Sequence, residues 1–167
     1  MTSATLLTDA FERVRGLVPR ILEGATREKL TFRIDDEANT IAWLVWHLTR
    51  IQDDHIADAM DAEQVWPRWA ERFDLPFALS ATGYGQSPDD VAAVDVDADL
   101  LLGYFTEVAD RTAGWIETLD DQDLARVVDE NWDPPVTLAV RLVSVISDDL
   151  QHAGQANYIA GVFDRLG

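Results

Sequence analysis

Hydrophobic residues recur every three or four positions in four long segments of the chain, the spacing that places them on one face of an α-helix. These segments cover residues 4–23, 40–62, 98–119 and 137–164. Gly24 is suited to end the first segment, Asn39 or Thr40 to cap the second, and Thr137 to cap the fourth. Strict alternation of the kind that marks a strand is absent, although residues 91–96 could pair locally. The pattern therefore predicts an all-α fold.

A long connection, residues 63–97, separates the second helix from the third. Ser87 and Pro88 are typical of a helix start inside it, with Ser87 as the cap and Pro88 at the first helical position. A second connection, residues 120–136, precedes the last helix. Four helices with one long crossover are a known bundle topology. We expect an up-down four-helix bundle with a long crossover loop between helices 2 and 3, forming a single domain over residues 1–167.

Acidic residues dominate the charge of this chain. With 13 Lys and Arg against 31 Asp and Glu, the formal net charge is −18. Such a surface repels nucleic-acid phosphates and anionic membranes, so we expect neither as a partner. The expected partners are a metal ion, a small-molecule substrate and a second copy of the chain, because a tryptophan-rich surface is compatible with a homodimer.

The residue inventory also limits location and chemistry. The N-terminus lacks the order of segments that defines a signal peptide, and no apolar run reaches the length of a membrane span, so the expected location is the cytoplasm. Cysteine is absent. The chain therefore has no thiolate metal ligand or cysteine nucleophile of its own, and any thiol chemistry needs a thiol cosubstrate.

Three side chains on two helices are candidate metal ligands. Asp148 and His152 are four residues apart, which on a helix places them on one face, with their Cβ atoms about 5–6 Å apart. His47, at the edge of the apolar stripe of the second helix, can supply a third ligand, as in other bundle metal sites. Asp149, three residues before His152, satisfies the same spacing rule. The bland alternative is a hydrogen-bonded His beside an apolar stripe and a chance Asp–His pair in an acidic chain.

The remaining histidine, His55, follows His47 by eight residues. On a helix this separation is about 12 Å along the axis, with the two side chains pointing in different directions. The two residues are therefore not expected to bind the same ion. We expect His55 at the surface or at the edge of a cleft.

Aromatic residues cluster around the candidate ligands and in the long connection. Trp66, Trp69 and Tyr84 could line a substrate cleft, or they could simply close the open end of the bundle. Trp43 and Trp46 flank His47 in the sequence and are more typical of core or dimer-contact positions than of substrate contacts.

Two polar residues near the candidate ligands have two interpretations each. Arg50 lies one turn beyond His47 and could meet an anionic thiol cosubstrate, or it could pair at the surface with Asp53 or Asp54. Gln155, three residues after His152, could orient a metal ligand through a hydrogen bond, or it could bond only within the bundle.

Two segments, residues 40–49 and 148–156, resemble the second and last helices of the DinB-like superfamily, and the run from His152 to Gln155 is the more specific part. The chain is most similar to the branch that contains the N-terminal domain of mycothiol-dependent maleylpyruvate isomerase and the mycothiol and bacillithiol S-transferases. The resemblance implies a divalent metal held by His47, Asp148 and His152. Zinc is the first expectation for the metal and nickel the second.

This resemblance implies a metal-dependent transferase that activates a low-molecular-weight thiol such as mycothiol for attack on an electrophilic small molecule. The isomerase's second domain is not expected here, which argues against maleylpyruvate as the substrate. Two alternatives remain: a metal-dependent hydrolase, which would not need the thiol, and a non-catalytic metal-binding stress or interaction protein. Thiol dependence distinguishes the first alternative from the transferase, and metal content tests the second.

Overall fold

The structure is a computed structural model that describes residues 2–166, and most of these residues are helical. In chain order the helices are α1 (Ser3–Leu22), α2 (Arg27–Thr31), α3 (Ile41–Ala59), α4 (Pro67–Phe73), α5 (Pro88–Ala93), α6 (Ala98–Ile116) and α7 (Leu138–Leu166). Between α6 and α7 lie a 3₁₀ turn, Asp123–Ala125, and the short strands β1 (Val127–Asp129) and β2 (Val136–Thr137). The long helices α1, α3, α6 and α7 confirm the expected all-α bundle.

Helix-capping residues explain why α3 and α5 begin where they do. The Thr40 side chain accepts a hydrogen bond from the Trp43 amide at the start of α3, as one of the two sequence alternatives predicted. Ser87 and Asp90 form a reciprocal capping box at the start of α5, with Pro88 in the first turn. Each cap satisfies an amide that has no partner within its helix. These positions confirm the start sites that the sequence indicated.

The connections differ from expectation in three places. The local pairing predicted for residues 91–96 is wrong, because Val91 lies in α5 and Val94 and Val96 are buried in the core. The strands instead form an antiparallel pair before α7, with Val127 opposite Thr137. Helix α2 was also not predicted. Segments of two to five residues are too short to show a hydrophobic period, so tertiary packing determines their structure.

Helix α3 lies at the centre of the packing that positions the candidate site. It packs against α7 and α6, and α1 packs against the other sides of α6 and α7. Every residue from Ile41 to Arg50 is buried, including His47. A helix that is buried on all sides must satisfy its polar side chains inside the protein. The polar contacts of α3 therefore show which groups the protein holds in its interior.

The crossover between α3 and α6 packs on this central helix. Trp66, which is 4% exposed, contacts the rings of Trp46, Phe73 and Tyr104. This aromatic cluster joins α4 to α3 and α6. Among the described residues, 2–166, we find no helix with the length and apolarity to cross a membrane.

Candidate metal centre

His47, Asp148 and His152 converge at the seam between α3 and α7. One potential ligand atom from each lies within 4.8 Å of the other two. His47 is buried, while Asp148 and His152 are half-buried. The four-residue spacing on α7 stacks Asp148 and His152 on one face, and α3 presents His47 to that face. The two helices therefore bring an imidazole, a carboxylate and a second imidazole together.

Both imidazoles have one ring nitrogen held by a hydrogen-bond acceptor. Nδ1 of His47 lies 2.5 Å from the Thr82 carbonyl oxygen, and Nδ1 of His152 lies 2.8 Å from Oε1 of Gln155. Because these oxygens only accept, each Nδ1 carries the hydrogen in the neutral ring. Nε2 then keeps its lone pair in both residues. Metal-ligating histidines are oriented by this kind of outer contact.

The carboxylate between the imidazoles has an oxygen without a partner. Oδ1 of Asp148 lies 3.5 Å from Nε2 of His152, while Oδ2 is buried and accepts no hydrogen bond. A buried carboxylate oxygen without a partner is unfavourable. A divalent cation would satisfy it, and two imidazoles with one carboxylate are a donor set suited to zinc or nickel. The residues present therefore fit a metal.

Protonation differs between the two histidines of the cluster. Burial lowers the pKa of His47 below its ordinary value, despite opposing contributions from Thr82 and Asp148. Burial also acts to lower the pKa of His152, but hydrogen bonds to Asp148 and Gln155 and the charge of Asp148 outweigh it, so that the pKa is raised. His47 is thus neutral at pH 7, while His152 retains its proton to higher pH. Metal binding requires that this proton leave.

Trp43 fixes the His47 ring from the side. The two rings stack at 4.6 Å with an angle of 11° between their planes, and Trp43 meets His152 edge-on. The Trp43 indole N–H donates to the side chain of Gln86, which holds it in the crossover loop. Trp43 is therefore a wall of the cluster as well as a core residue.

Of the two carboxylates that the spacing left open, the structure brings only Asp148 to the imidazoles. Asp149 is completely buried, and neither of its carboxylate oxygens has a hydrogen-bond partner. Burial, followed by the charge of Asp148, raises the pKa of Asp149 well above its ordinary value. Asp149 is thus a core residue whose burial favours the protonated form.

Arg50 requires a correction. The sequence suggested either contact with an anionic cosubstrate or a surface ion pair, but Arg50 is 0% exposed. It pairs with Asp53 inside the protein, at 3.7 Å. The predicted partner is therefore confirmed, while the surface location and the cosubstrate contact are wrong. The crossover loop folds over this part of α3, which helical spacing cannot reveal.

The aromatic residues of the crossover do not form a continuous wall. Trp66 belongs to the core cluster, and Tyr84 is 93% exposed. Trp69 is half-buried and donates its indole N–H to Glu107. The three residues thus lie in different environments, with Trp66 packed inward and Tyr84 extended into solvent, and their role in lining a substrate cleft stays a prediction.

His55 lies apart from the cluster, in a different environment. Its Nδ1 is 3.0 Å from a guanidinium nitrogen of Arg141, and it lines an open cavity of about 420 Å³ with Asp54, Asp58 and Asp129. Burial and the charge of Arg141 lower the pKa of His55. The structure does not bring His55 to the candidate metal centre.

Nothing in the residue pattern pointed to Thr82, because the group it contributes is a main-chain oxygen. Gly83 belongs to a Gly-Tyr-Gly run that the sequence marks only as a turn. Its backbone has a φ of 100° and packs directly against His47. Both residues contribute through the position of their backbone, and this position cannot be predicted from residue type.

A helical bundle with a His–Asp–His cluster at the contact of its second and last long helices is consistent with a DinB-like protein. The model of the Mycothiol-S-transferase family matches residues 6–164, and the chain belongs to that family. The crystal structure of the conserved protein of locus from Enterococcus faecalis is similar, with 28% identity, a TM-score of 0.88 and 96% of each chain covered. A search of the curated proteins gave no significant match.

Proposed function

We propose that this protein is a metal-dependent S-transferase that activates a low-molecular-weight thiol, which its family indicates is mycothiol, for attack on an electrophilic small molecule. His47, Asp148 and His152 hold the metal, with zinc as the first choice and nickel as the second. The observation that carries the proposal is the convergence of these ligand atoms within 4.8 Å. The orphaned Asp148 oxygen and the two acceptor-bound Nδ1 atoms support it.

Three protein ligands are typical of a catalytic metal site, because they leave a position for substrate. When bound, a divalent metal lowers the pKa of a coordinated thiol, so that thiolate forms near neutral pH. The chain supplies no thiol of its own. In the proposed reaction the thiol of the cosubstrate gives up its proton to solvent. Its sulfur then forms a bond to an electrophilic carbon while the bond from that carbon to its leaving group breaks, and the leaving group departs with the electron pair.

The residues around the ligands orient and shield them. The Thr82 carbonyl and the Gln155 side chain fix which nitrogen of each imidazole faces Asp148. Trp43 covers one face of the His47 ring and thereby keeps water from it. Asp148 draws a proton toward His152 in the metal-free protein, so a metal must displace this proton and its apparent affinity should increase as pH rises.

The other sequence-based expectations remain proposals. They are a single domain, cytoplasmic location, a small-molecule substrate and a homodimer, with no nucleic-acid or membrane partner. The net charge of −18 supports the last of these, since phosphate groups are repelled.

The direct test incubates metal-loaded protein with mycothiol and the electrophile monochlorobimane and follows the fluorescent conjugate. We expect a rate above the uncatalysed background that disappears with a chelator and in His152→Ala. His55→Ala is the matched control and should retain the rate. Absence of any thiol-dependent rate in fully metal-loaded protein would exclude the transferase, and turnover without thiol would favour the hydrolase.

A further inference from the structure

Residues Thr82 and Gly83 of the crossover approach His47 through their backbone. The carbonyl oxygen of Thr82 accepts the Nδ1 hydrogen of His47. The next residue, Gly83, passes so close that an added Cβ would lie 2.6 Å from that nitrogen and 3.0 Å from the Trp43 ring. Gly83 also has a φ of 100°, which side-chain-bearing residues rarely adopt. A glycine is therefore needed for the carbonyl to reach the imidazole.

The buried guanidinium of Arg50 holds the same part of the crossover in place. Its Nε donates to the Ala81 carbonyl at 3.0 Å, immediately before Thr82. Its Nη1 donates to Gln64 at 2.8 Å. A planar guanidinium fixes the relative positions of such acceptors better than a flexible ammonium can. Arg50 thereby connects Ala81, inside the crossover, to Gln64, near the start of the crossover.

Asp53, which lies beside Arg50, holds the start of the crossover in place. Its carboxylate accepts from the backbone amides of Val65 and Trp66 at 2.8 and 2.7 Å, and from the Tyr104 hydroxyl at 2.9 Å. With Arg50 only 3.7 Å away, the two charges stabilise each other inside the protein. One buried ion pair on α3 thus holds residues 64–66, at the start of the crossover, and Ala81, which directly precedes Thr82.

We propose that Arg50 and Gly83 are positioning residues that hold the Thr82 carbonyl against His47 and so fix the Nδ1–H tautomer of this imidazole. A neutral imidazole has one donor and one acceptor nitrogen, and its partner determines which is which. With Nδ1 protonated, Nε2 is free to ligate. The importance of this arrangement for a metal rests on the proposed function, but the tautomer itself does not.

The first test measures the tautomer directly in metal-free protein by ¹⁵N NMR of the His47 imidazole at a pH where the ring is neutral. We expect the Nδ1–H form in wild type and its loss in Gly83→Ala, because the new methyl displaces the ring or the carbonyl. Gly85→Ala is the matched control: Gly85 has a φ of 73°, but an added Cβ would meet nothing within 4 Å. An Nε2–H tautomer in wild type, or the same spectrum in Gly83→Ala, would overturn the proposal.

The second test separates the guanidinium geometry from its charge. Arg50→Lys preserves a buried cation beside Asp53 but loses the rigid planar fork that fixes the Ala81 and Gln64 acceptors relative to each other, so the protein should fold while the His47 tautomer becomes mixed. Zinc affinity should fall about 10–100-fold, as is typical when an orienting partner is lost. An unchanged tautomer and unchanged zinc affinity in folded Arg50→Lys would reject the role of Arg50. A wild-type protein with the Nδ1–H tautomer but no transferase activity would instead reject only the proposed function.

Discussion

Two histidines of α3 face α7 at different levels, and their surroundings give them different chemistry. At the level of His47, α7 presents Asp148 and His152, and the crossover loop supplies an acceptor for Nδ1. At the level of His55, α7 presents Arg141, whose guanidinium lies 3.0 Å from Nδ1 of His55. Arg141 also pairs with Asp129 at 2.9 Å. Both histidines are neutral at pH 7, because burial lowers the pKa of each.

The difference shows that the groups across the helix seam, more than the histidine itself, determine the kind of site. A fixed cation beside His55 occupies its acceptor nitrogen and repels a second cation. A carboxylate beside His47 attracts one instead. The same residue on the same helix can therefore be a candidate ligand at one level and a structural hydrogen-bond partner two turns away.

The largest expected effect comes from removing a ligand at the His47 level. His47→Ala or Asp148→Asn should abolish stoichiometric metal binding, a loss greater than the roughly 100-fold seen for orienting partners. His55→Ala should bind metal like wild type. Elemental analysis after dialysis measures the difference, and equal metal content in all three variants would remove the distinction between the two levels.

A smaller effect is expected from the acceptor that orients His152. Gln155→Leu removes the partner of Nδ1, so zinc affinity should fall by about 10-fold, at the low end for such contacts because the side chain is exposed. Gln151→Leu is the control, because Gln151 is also exposed on α7 but bonds only to Ser147. Competition with a chromophoric chelator gives both affinities. Equal losses of zinc affinity in the two variants would show that Gln155 acts only by stabilising α7, and not through its hydrogen bond to His152.

The pH dependence of folding stability tests whether Asp149, the carboxylate next to Asp148, is a core residue. Its folded pKa is raised above the unfolded value, so the folded state holds a proton that the unfolded state has released. Stability should therefore fall as pH rises above the unfolded pKa, by at most about 1.4 kcal/mol per pH unit. Asp149→Asn should remove this slope. Urea unfolding of metal-free protein between pH 4 and 8 measures it, and parallel curves for the two proteins would contradict the assignment.

The smallest effect concerns the cation beside His55. Arg141→Met removes a positive charge that, after burial, is the second cause of the lowered His55 pKa. The pKa of His55 should rise, while the pKa of His47, which burial, Thr82, Asp148 and His152 determine, should stay unchanged. NMR titration of the ring protons in metal-free protein resolves the two residues. A parallel shift in both would mean that the two levels share one electrostatic environment.

Hydrophobic spacing predicted the four long helices because each must bury one continuous face, and the caps of α3 and α5 followed from local hydrogen-bonding chemistry. The pairing of Asp148 with His152 followed from helical geometry. Spacing could not choose between Asp148 and Asp149, since both satisfy the same rule. That choice depended on which side of α7 faces the core.

The sequence by itself determined the helices, the acidic surface, the absence of cysteine and the residue types that could bind a metal, because these follow from composition and local periodicity. Only the tertiary structure decided that Arg50 is buried, that the Thr82 carbonyl meets His47, and that Arg141 occupies His55. These arrangements bring together residues distant in sequence, and the contact with His47 involves a backbone group that every residue possesses. Their position is set by how the crossover loop and α7 pack on α3.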